Sequence, residues 1–502
     1  MVYGFSPYGS RGYLVRVEVD VRRGLPGTDI VGLASSEVRE CRERVRVAIR
    51  NSGFEYPADR ILVSLSPAEI PKVGAGFDLP VALAILQKTA QIKLPDILLA
   101  TGEISIHGEV LPVRGILSAV IAASEQGIST VLVPAQTAAD VVGAGDLVST
   151  ILVLRTLNDL ASGDVPALGH TGSSPRKIKT SALSMDDIQG QSEAKRAAMV
   201  SAAGYHNLLL MGPPGSGKTM TARRLASLMP PLTRSESLEV ARVHSIRGLD
   251  VRENVARPPV RMPHHSVSQE GMLGGGRHLL PGEASLAHRG VLILDEVPEF
   301  RPQVLQALRE PVEERFASIS RAGQAEQFST SFVLVMTSNL CPCGNLGRRG
   351  SLCLCSMQEI ARYWRRVGAA LLDRVDLRVM TDYRLVEQPP GADHSAHEMK
   401  ERIAAAVARQ EKRSAGASWK RNGTVPAGAV ETMLPLSDQM KTLIQEMMRR
   451  HALSDRAAQS VRAVARTLAD LGDRENVTEE DVQAAVSWRA RGVDSLLGRE
   501  DR

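Results

Sequence analysis

The chain has 502 residues, 43% hydrophobic and 23% charged, with a formal net charge of +5 and a pI near 9.0. That length holds two to four domains with cores of their own, and the composition is that of a soluble globular protein. No apolar run reaches the roughly 18–20 residues that cross a bilayer, the start MVYGFSPYGSRGY lacks a signal peptide's apolar block, and five cysteines are too few for a disulfide framework. A cytoplasmic protein with reduced thiols and no membrane partner is expected. Aromatics make up only 3%, which argues against a stacking platform for single-stranded bases. The mildly basic balance is compatible with nucleic acid held through its phosphates.

Residues 1–165 alternate strand-like and helical patterns. In YLVRVEVDV, Val15, Val17, Val19 and Val21 share one face, and Arg16, Glu18 and Asp20 the other, the pattern of a half-buried strand. In SSEVRECRERVRVAIRNSG, Val38, Cys41, Val45 and Ile49 recur at helical spacing up to Gly53, which makes Cys41 a core residue. Further strand-like runs are 61–65, 98–106 and 130–133. Residues 166–184, rich in Gly, Pro, Ser and Thr, read as a linker. A second α/β segment covers 185–383, a Pro/Gly break 384–397, and a helical part 398–502. In that last part Ser454 can cap a helix with Ala457, Val461, Val464, Leu468 and Leu471 on its apolar face. TEED at 478–481 is a capping box that opens another helix.

The second segment carries the chemistry. The apolar strand Leu208–Met211 runs into Gly212-Pro213-Pro214-Gly215-Ser216-Gly217-Lys218-Thr219. Glycines at that spacing turn backbone N–H groups inward around phosphates, and the helix that follows adds its positive end. Lys218 meets the β/γ-phosphates, and the Thr219 hydroxyl coordinates Mg²⁺. ATP and Mg²⁺ are thus the expected ligands. VLILDE at 291–296 is a buried strand ending in two acids. Asp295 holds the Mg²⁺ through water, and Glu296 acts as general base on the attacking water. Asn339, at the end of the strand SFVLVMTS, can orient that water; otherwise it is a loop asparagine. Arg374, in ALLDRVDL, is placed to serve a neighbouring subunit's nucleotide, or else is a surface arginine paired with Asp373 or Asp376.

Cys341, Cys343, Cys353 and Cys355 form two Cys-x-Cys pairs around a nine-residue loop. Four soft thiolates suit tetrahedral Zn²⁺. Reduced thiols and a redox switch are the alternatives.

In order, PHHSVS (263–268), PGEASLAHRGVLILDEVPEF (281–300), LREPVEE (308–314), ISRAG (319–323), NLCPCG (339–344) and LLDRVD (371–376) resemble the magnesium-chelatase-like AAA+ ATPases of the ComM/YifB family. Relatives commonly read Asn-Pro-Cys-Pro-Cys-Gly where this chain has Asn-Leu. The resemblance implies an α/β P-loop AAA+ core with an α-helical C-terminal lid. It also implies a homo-hexameric ring, ATP-driven branch migration or helicase activity on DNA recombination intermediates, and a role in natural transformation. By the same resemblance Asn339 is sensor 1, Arg374 the arginine finger and Arg456, opening a lid helix, sensor 2. Two segments, 265–280 and 314–328, face a pore in this reading. Arg277, His278 and Arg321 are then candidate DNA contacts, and solvated loop charges are the alternative.

SPAEIPKVGAGFDLPVALAIL (66–86) and TGEISIHGEVLPVRGI (101–116) resemble the proteolytic domain of Lon, which implies an α+β, ribosomal-S5-like fold for the N-terminal domain. That family needs a serine after the first element and a lysine near the second. Here the chain reads Gly74-Ala75-Gly76-Phe77-Asp78 and Ile116-Leu117-Ser118-Ala119, so no acyl-transfer route exists. A protein-remodelling or metal-chelatase-type ATPase is the alternative function.

Overall fold

The computed structural model describes residues 1–141, 144, 146–162, 165–168, 183–251, 256–321, 324–348, 350–381, 394–417 and 419–491. Most of the stretches read as linkers, 166–184 and 384–397, lies outside them.

The N-terminal strands are β1 (Val2–Ser6), β2 (Tyr13–Arg22), β3 (Gly27–Val31), β4 (Arg60–Ser66), β5 (Leu98–Ala100), the short hairpin β6 (Glu103–Ile104) and β7 (Val110–Leu111), β8 (Thr130–Pro134) and β9 (Thr150–Leu154). Seven of them form a mixed sheet in the order β3-β4-β2-β1-β5-β8-β9. On β2, Val15 and Val17 are buried, Val19 and Val21 pack against the same core, and Arg16 and Glu18 point outward. The helix Ser36–Asn51 is capped by Ser35, whose hydroxyl accepts from the Val38 amide at 3.3 Å. It buries Val38, Cys41, Val45 and Ile49. Burial pushes the Cys41 thiol up to about 12, as befits a core cysteine.

The second segment contains β10 (Leu208–Met211), β11 (Val260–Arg261), the hairpin β12 (Gly274–Gly275) and β13 (Leu280–Pro281), β14 (Val291–Leu294), the hairpin β15 (Phe316–Arg321) and β16 (Gln324–Ser329), β17 (Val333–Ser338) and β18 (Leu377–Met380). Five of these form a wholly parallel sheet, ordered β11-β14-β17-β10-β18. The uninterrupted apolar runs of β10, β14 and β17 are buried along their whole length, as a parallel sheet covered on both faces requires. This order sets the ends of β14 and β17 beside the end of β10, so three loops converge at the carboxyl edge, where ligands bind in open α/β sheets.

The C-terminal part is helical: Ala396–Arg413, Asp438–Arg450, Asp455–Leu471 and Glu479–Ala490 are its long helices. The first starts at Ala396, inside the stretch read as a break. Ser454 caps the third, which buries the five apolar positions read from the sequence. Thr478 and Asp481 form the capping box of the last. These helices share one hydrophobic core with β10, β17, β18 and the helix Ser192–Gly204. Among the described residues no helix is long and apolar enough to cross a membrane.

The N-terminal domain docks on the second through the helix Ile116–Glu125, which lies against the helix Arg234–Arg247. There the Ser118 hydroxyl donates to the Arg242 carbonyl at 2.9 Å and the Gly115 amide to the Ser245 carbonyl at 3.0 Å. Glu326 on β16 accepts from Tyr13 at 2.5 Å and from the Ser10 hydroxyl at 3.1 Å. Tyr8 and Val73 bury Leu279. Both segments assigned to a pore by resemblance are therefore partly engaged by the N-terminal domain.

Candidate nucleotide site

The phosphate loop leaves the carboxyl end of β10. Gly215 and Gly217 sit at φ +80° and +85°, where a side chain is strained. At Gly212 an added Cβ would stand 2.3 Å from the Thr381 hydroxyl and 2.4 Å from the Thr381 carbonyl, so the loop needs a bare backbone there. Ser216 is tied to Thr381 by a 2.6 Å hydroxyl pair, which fastens the loop to the end of β18. Lys218 is buried and donates to the Gly212 and Pro213 carbonyls, each at 2.8 Å, and to Asn339 Oδ1 at 3.2 Å. Burial lowers its pKa, while Asp295 and Glu296 pull the other way.

The Thr219 hydroxyl donates to Asp295 Oδ1 at 2.8 Å, so the two Mg²⁺-binding groups expected from sequence meet. Thr337, at the end of β17, donates to the same Asp295 oxygen at 2.6 Å and accepts from the Glu296 amide at 3.0 Å. Glu296 takes φ +52° and projects into solvent at the mouth of the site. The donor set of lysine, hydroxyl and carboxylates beside a glycine cradle fits a Mg²⁺-bound nucleoside triphosphate. Thr337 and Thr381 escaped the sequence reading. Their only signal was a threonine at a strand end next to the acid strand or the phosphate loop.

Asn339 opens the cysteine loop. All four sulfurs lie within 4.8 Å of one another, with Cys341 to Cys343 at 3.3 Å, Cys343 to Cys353 at 3.7 Å and Cys341 to Cys353 at 3.6 Å. Zinc–sulfur bonds of about 2.3 Å in a tetrahedron put sulfurs about 3.8 Å apart, so the residues fit that ion. The loop abuts the phosphate loop: a Cβ on Gly344 would come within 2.8 Å of Pro214. Leu340 is pinned by the Trp364 indole, which donates to its carbonyl at 3.2 Å.

The two arginines stand elsewhere. Asn207, just before β10, donates from its side chain to the Arg374 carbonyl at 2.9 Å, and its own carbonyl accepts from the Asp376 and Leu377 amides. Arg374 therefore lies at the amino edge of the sheet, a strand length of about 13 Å from the phosphate loop. Arg374 pairs with Glu313 rather than with Asp373 or Asp376, and Arg456 pairs with the same carboxylate. Neither arginine is at the phosphate loop of its own chain. Asp376 is occupied by Ser460 at 2.6 Å and the Asn207 amide at 2.9 Å.

Of the candidate DNA contacts, Arg277 is exposed and His278 is half-buried. His278 lines a cleft of about 630 Å³ with Gly74, Ala75, Gly76 and Arg114 of the N-terminal domain, and its Nδ1 has no partner. It thus faces the Lon-like element rather than open solvent. Arg321 ends β15, and its side chain lies outside the described residues. In the same cleft Gly76 packs close to Thr101, whose hydroxyl would be 3.0 Å from an added Cβ, and the 74–78 element supplies no serine.

Three family models match separate parts of the chain. One described as magnesium chelatase, subunit ChlI, matches residues 184–388. One described as subunit ChlI of Mg-chelatase matches 17–137, and a ChlI C-terminal model matches 393–489. The chain is 37% identical over 502 residues to YifB of Escherichia coli, covering 96% of this chain and 95% of that one. It is 34% identical over 501 residues to the competence protein ComM of Haemophilus influenzae, covering 98% and 97%. A Lon protease of Mycolicibacterium smegmatis is 24% identical over 164 residues, 32% of this chain and 21% of its own. With the phosphate loop, the acid strand and Asn339 gathered on one edge of a parallel sheet, and full-length relatives on both sides of the family's name, the chain belongs to the magnesium-chelatase-like AAA+ ATPases of the ComM/YifB family.

Proposed function

We propose that the chain hydrolyses ATP as a ring of six copies and uses the cycle to move DNA, with branched recombination intermediates as substrate, as in the uptake of foreign DNA. The observation that carries the ring is the separation of Arg374 and Arg456 from the phosphate loop of their own chain. An ATP site with Lys218, Thr219, Asp295, Glu296 and Asn339, from which Arg374 and Arg456 stand apart, is completed by a neighbour's arginine. Thr219 and Asp295 would hold Mg²⁺ there, and the ion would supply positive charge to the phosphates. Lys218 moves from the loop carbonyls to the phosphates, Asn339 orients the attacking water, and Glu296 takes its proton.

DNA is favoured by the net charge of +5 and by the likeness to a protein named for competence. The four cysteines hold a structural Zn²⁺ that braces the exit of Asn339. The Lon-like domain serves as a platform without proteolytic chemistry.

The test is the ATPase rate with and without four-way-junction DNA over a salt series. Stimulation by about tenfold or more, fading steeply with salt, is expected. No stimulation together with no binding at low salt would overturn the DNA reading in favour of protein remodelling.

A further inference from the structure

We infer that Glu313 is a positioning residue: its carboxylate binds Arg374 and Arg456 into one fork, which each subunit presents to its neighbour's nucleotide. The inference rests on the ring reading above and adds to it a group that acts through the two arginines. Oε2 takes Arg374 Nη2 and Oε1 takes Arg456 Nη1, so one carboxylate spends an oxygen on each guanidinium. The three residues come from separate elements. Glu313 lies in the helix Arg309–Glu314, Arg374 two residues after the short helix Ala369–Leu372, and Arg456 in the first turn of the lid helix Asp455–Leu471. The carboxylate therefore ties the lid to the edge of the sheet.

Two guanidiniums at this spacing repel each other, and two long side chains lose order unless something holds them. Glu313 removes both difficulties. Burial alone would raise its pKa, but the hydrogen bonds from Arg374 and Arg456 outweigh this and keep it ionised. The rest of the fork is braced but not saturated. Arg374 Nη1 donates to the Ala370 carbonyl at 2.6 Å, and its Nε is buried without a partner. Arg456 Nε stands 4.0 Å from Asp373, and Asp373 is itself held by Arg489 at 2.7 Å and by Ser454 at 3.3 Å. The donors left for a phosphate arriving from outside the chain are those of Arg456, whose side chain is 38% exposed, while Arg374, 10% exposed, lies behind it and would have to turn outward.

The experiment compares wild type, Glu313→Ala and Glu313→Gln at saturating and limiting ATP without DNA. A second arm mixes Glu313→Ala with Lys218→Ala subunits, which lack a working phosphate loop but carry an intact fork. Maximal turnover of Glu313→Ala is expected to fall by about tenfold or more while half-saturating ATP stays within about twofold, with Glu313→Gln between it and wild type. Added Lys218→Ala subunits, inactive alone, should raise turnover of Glu313→Ala by about threefold or more. Undiminished turnover in Glu313→Ala overturns the inference. So does failure of the mixture to recover any, which assigns Glu313 to its own subunit's fold. Arg374→Ala is run alongside: if it keeps its full rate, the neighbour-arginine reading fails. A wild type indifferent to DNA removes only the DNA reading and leaves the fork standing.

Discussion

Thr337 links the two acids of the site. Its hydroxyl donates to Asp295 and accepts from the Glu296 amide, and Glu296 occupies a left-handed backbone conformation that non-glycine residues seldom adopt. One hydroxyl therefore orients the carboxylate proposed to bind Mg²⁺ and holds the proposed general base at a strained turn. Thr337→Val keeps the shape of the buried side chain and removes both bonds, leaving the Glu296 amide unpaired. The loss of about 1–2 kcal/mol of positioning predicts turnover roughly tenfold lower with nucleotide binding near wild type, checked by steady-state ATPase rates and titration with a fluorescent nucleotide. Lys218, Thr219, Asp295 and Glu296 were legible in the sequence because phosphate chemistry demands those side chains at fixed spacing. Thr337 was not, because a threonine in a β-strand is what strand propensity alone supplies.

The cysteine loop shows what an element adds to its residues. Cys341 is buried among Leu340, Trp364 and the core beneath β17, whereas Cys343 is exposed. An ion shared by the four sulfurs would pin the outer half of the loop to its inner half, and through Gly344 to Pro214 of the phosphate loop. Metal analysis is expected to find one zinc per chain. Stripping it with a strong chelator should lower the thermal midpoint and the ATPase rate together; well under one zinc in protein purified without chelator would remove the assignment. Four cysteines in two pairs were readable as candidate ligands. Their convergence was not, because nine intervening residues leave the loop path undetermined until Leu340 and Trp364 anchor one end.

Across the whole molecule, acid should act in two stages, argued from the seam where the helix Arg234–Arg247 meets the segment before β14. His288 Nδ1 accepts from the Ser331 amide at 3.1 Å, so its proton sits on Nε2, 3.1 Å from Glu239. Burial holds both His288 and His244 below the ordinary histidine value of 6.5. The unfolded chain binds those protons first, so stability is full above pH 6.5 and declines as pH falls below it. Glu239 is held down to about 2, chiefly by the His288 hydrogen bond and further by Arg289, against burial. Its contribution is full above the ordinary 4.5 and lost as pH falls toward 2. Glu239→Gln should cost about 1 kcal/mol at pH 7, after allowance for its half-exposed carboxylate. It should also shrink the second stage of acid destabilisation, read as the urea midpoint across a pH series, without abolishing it, because Glu236, Glu313 and Asp376 are held down as well.

The sequence by itself determined the local periodicities, the caps at Ser454 and Thr478, and the candidate nucleotide-binding residues of 212–219 and 291–296. Each of these depends on residues near one another along the chain, where spacing and side-chain type are the whole of the physics. Only the tertiary structure decided that Arg374 and Arg456 meet on Glu313, away from their own phosphate loop. It alone showed His278 turned toward the Lon-like cleft, and Thr337 and Thr381 holding the site together. Those contacts join residues dozens to hundreds of positions apart, and strand order and the docking of the lid create them rather than any pattern written along the chain.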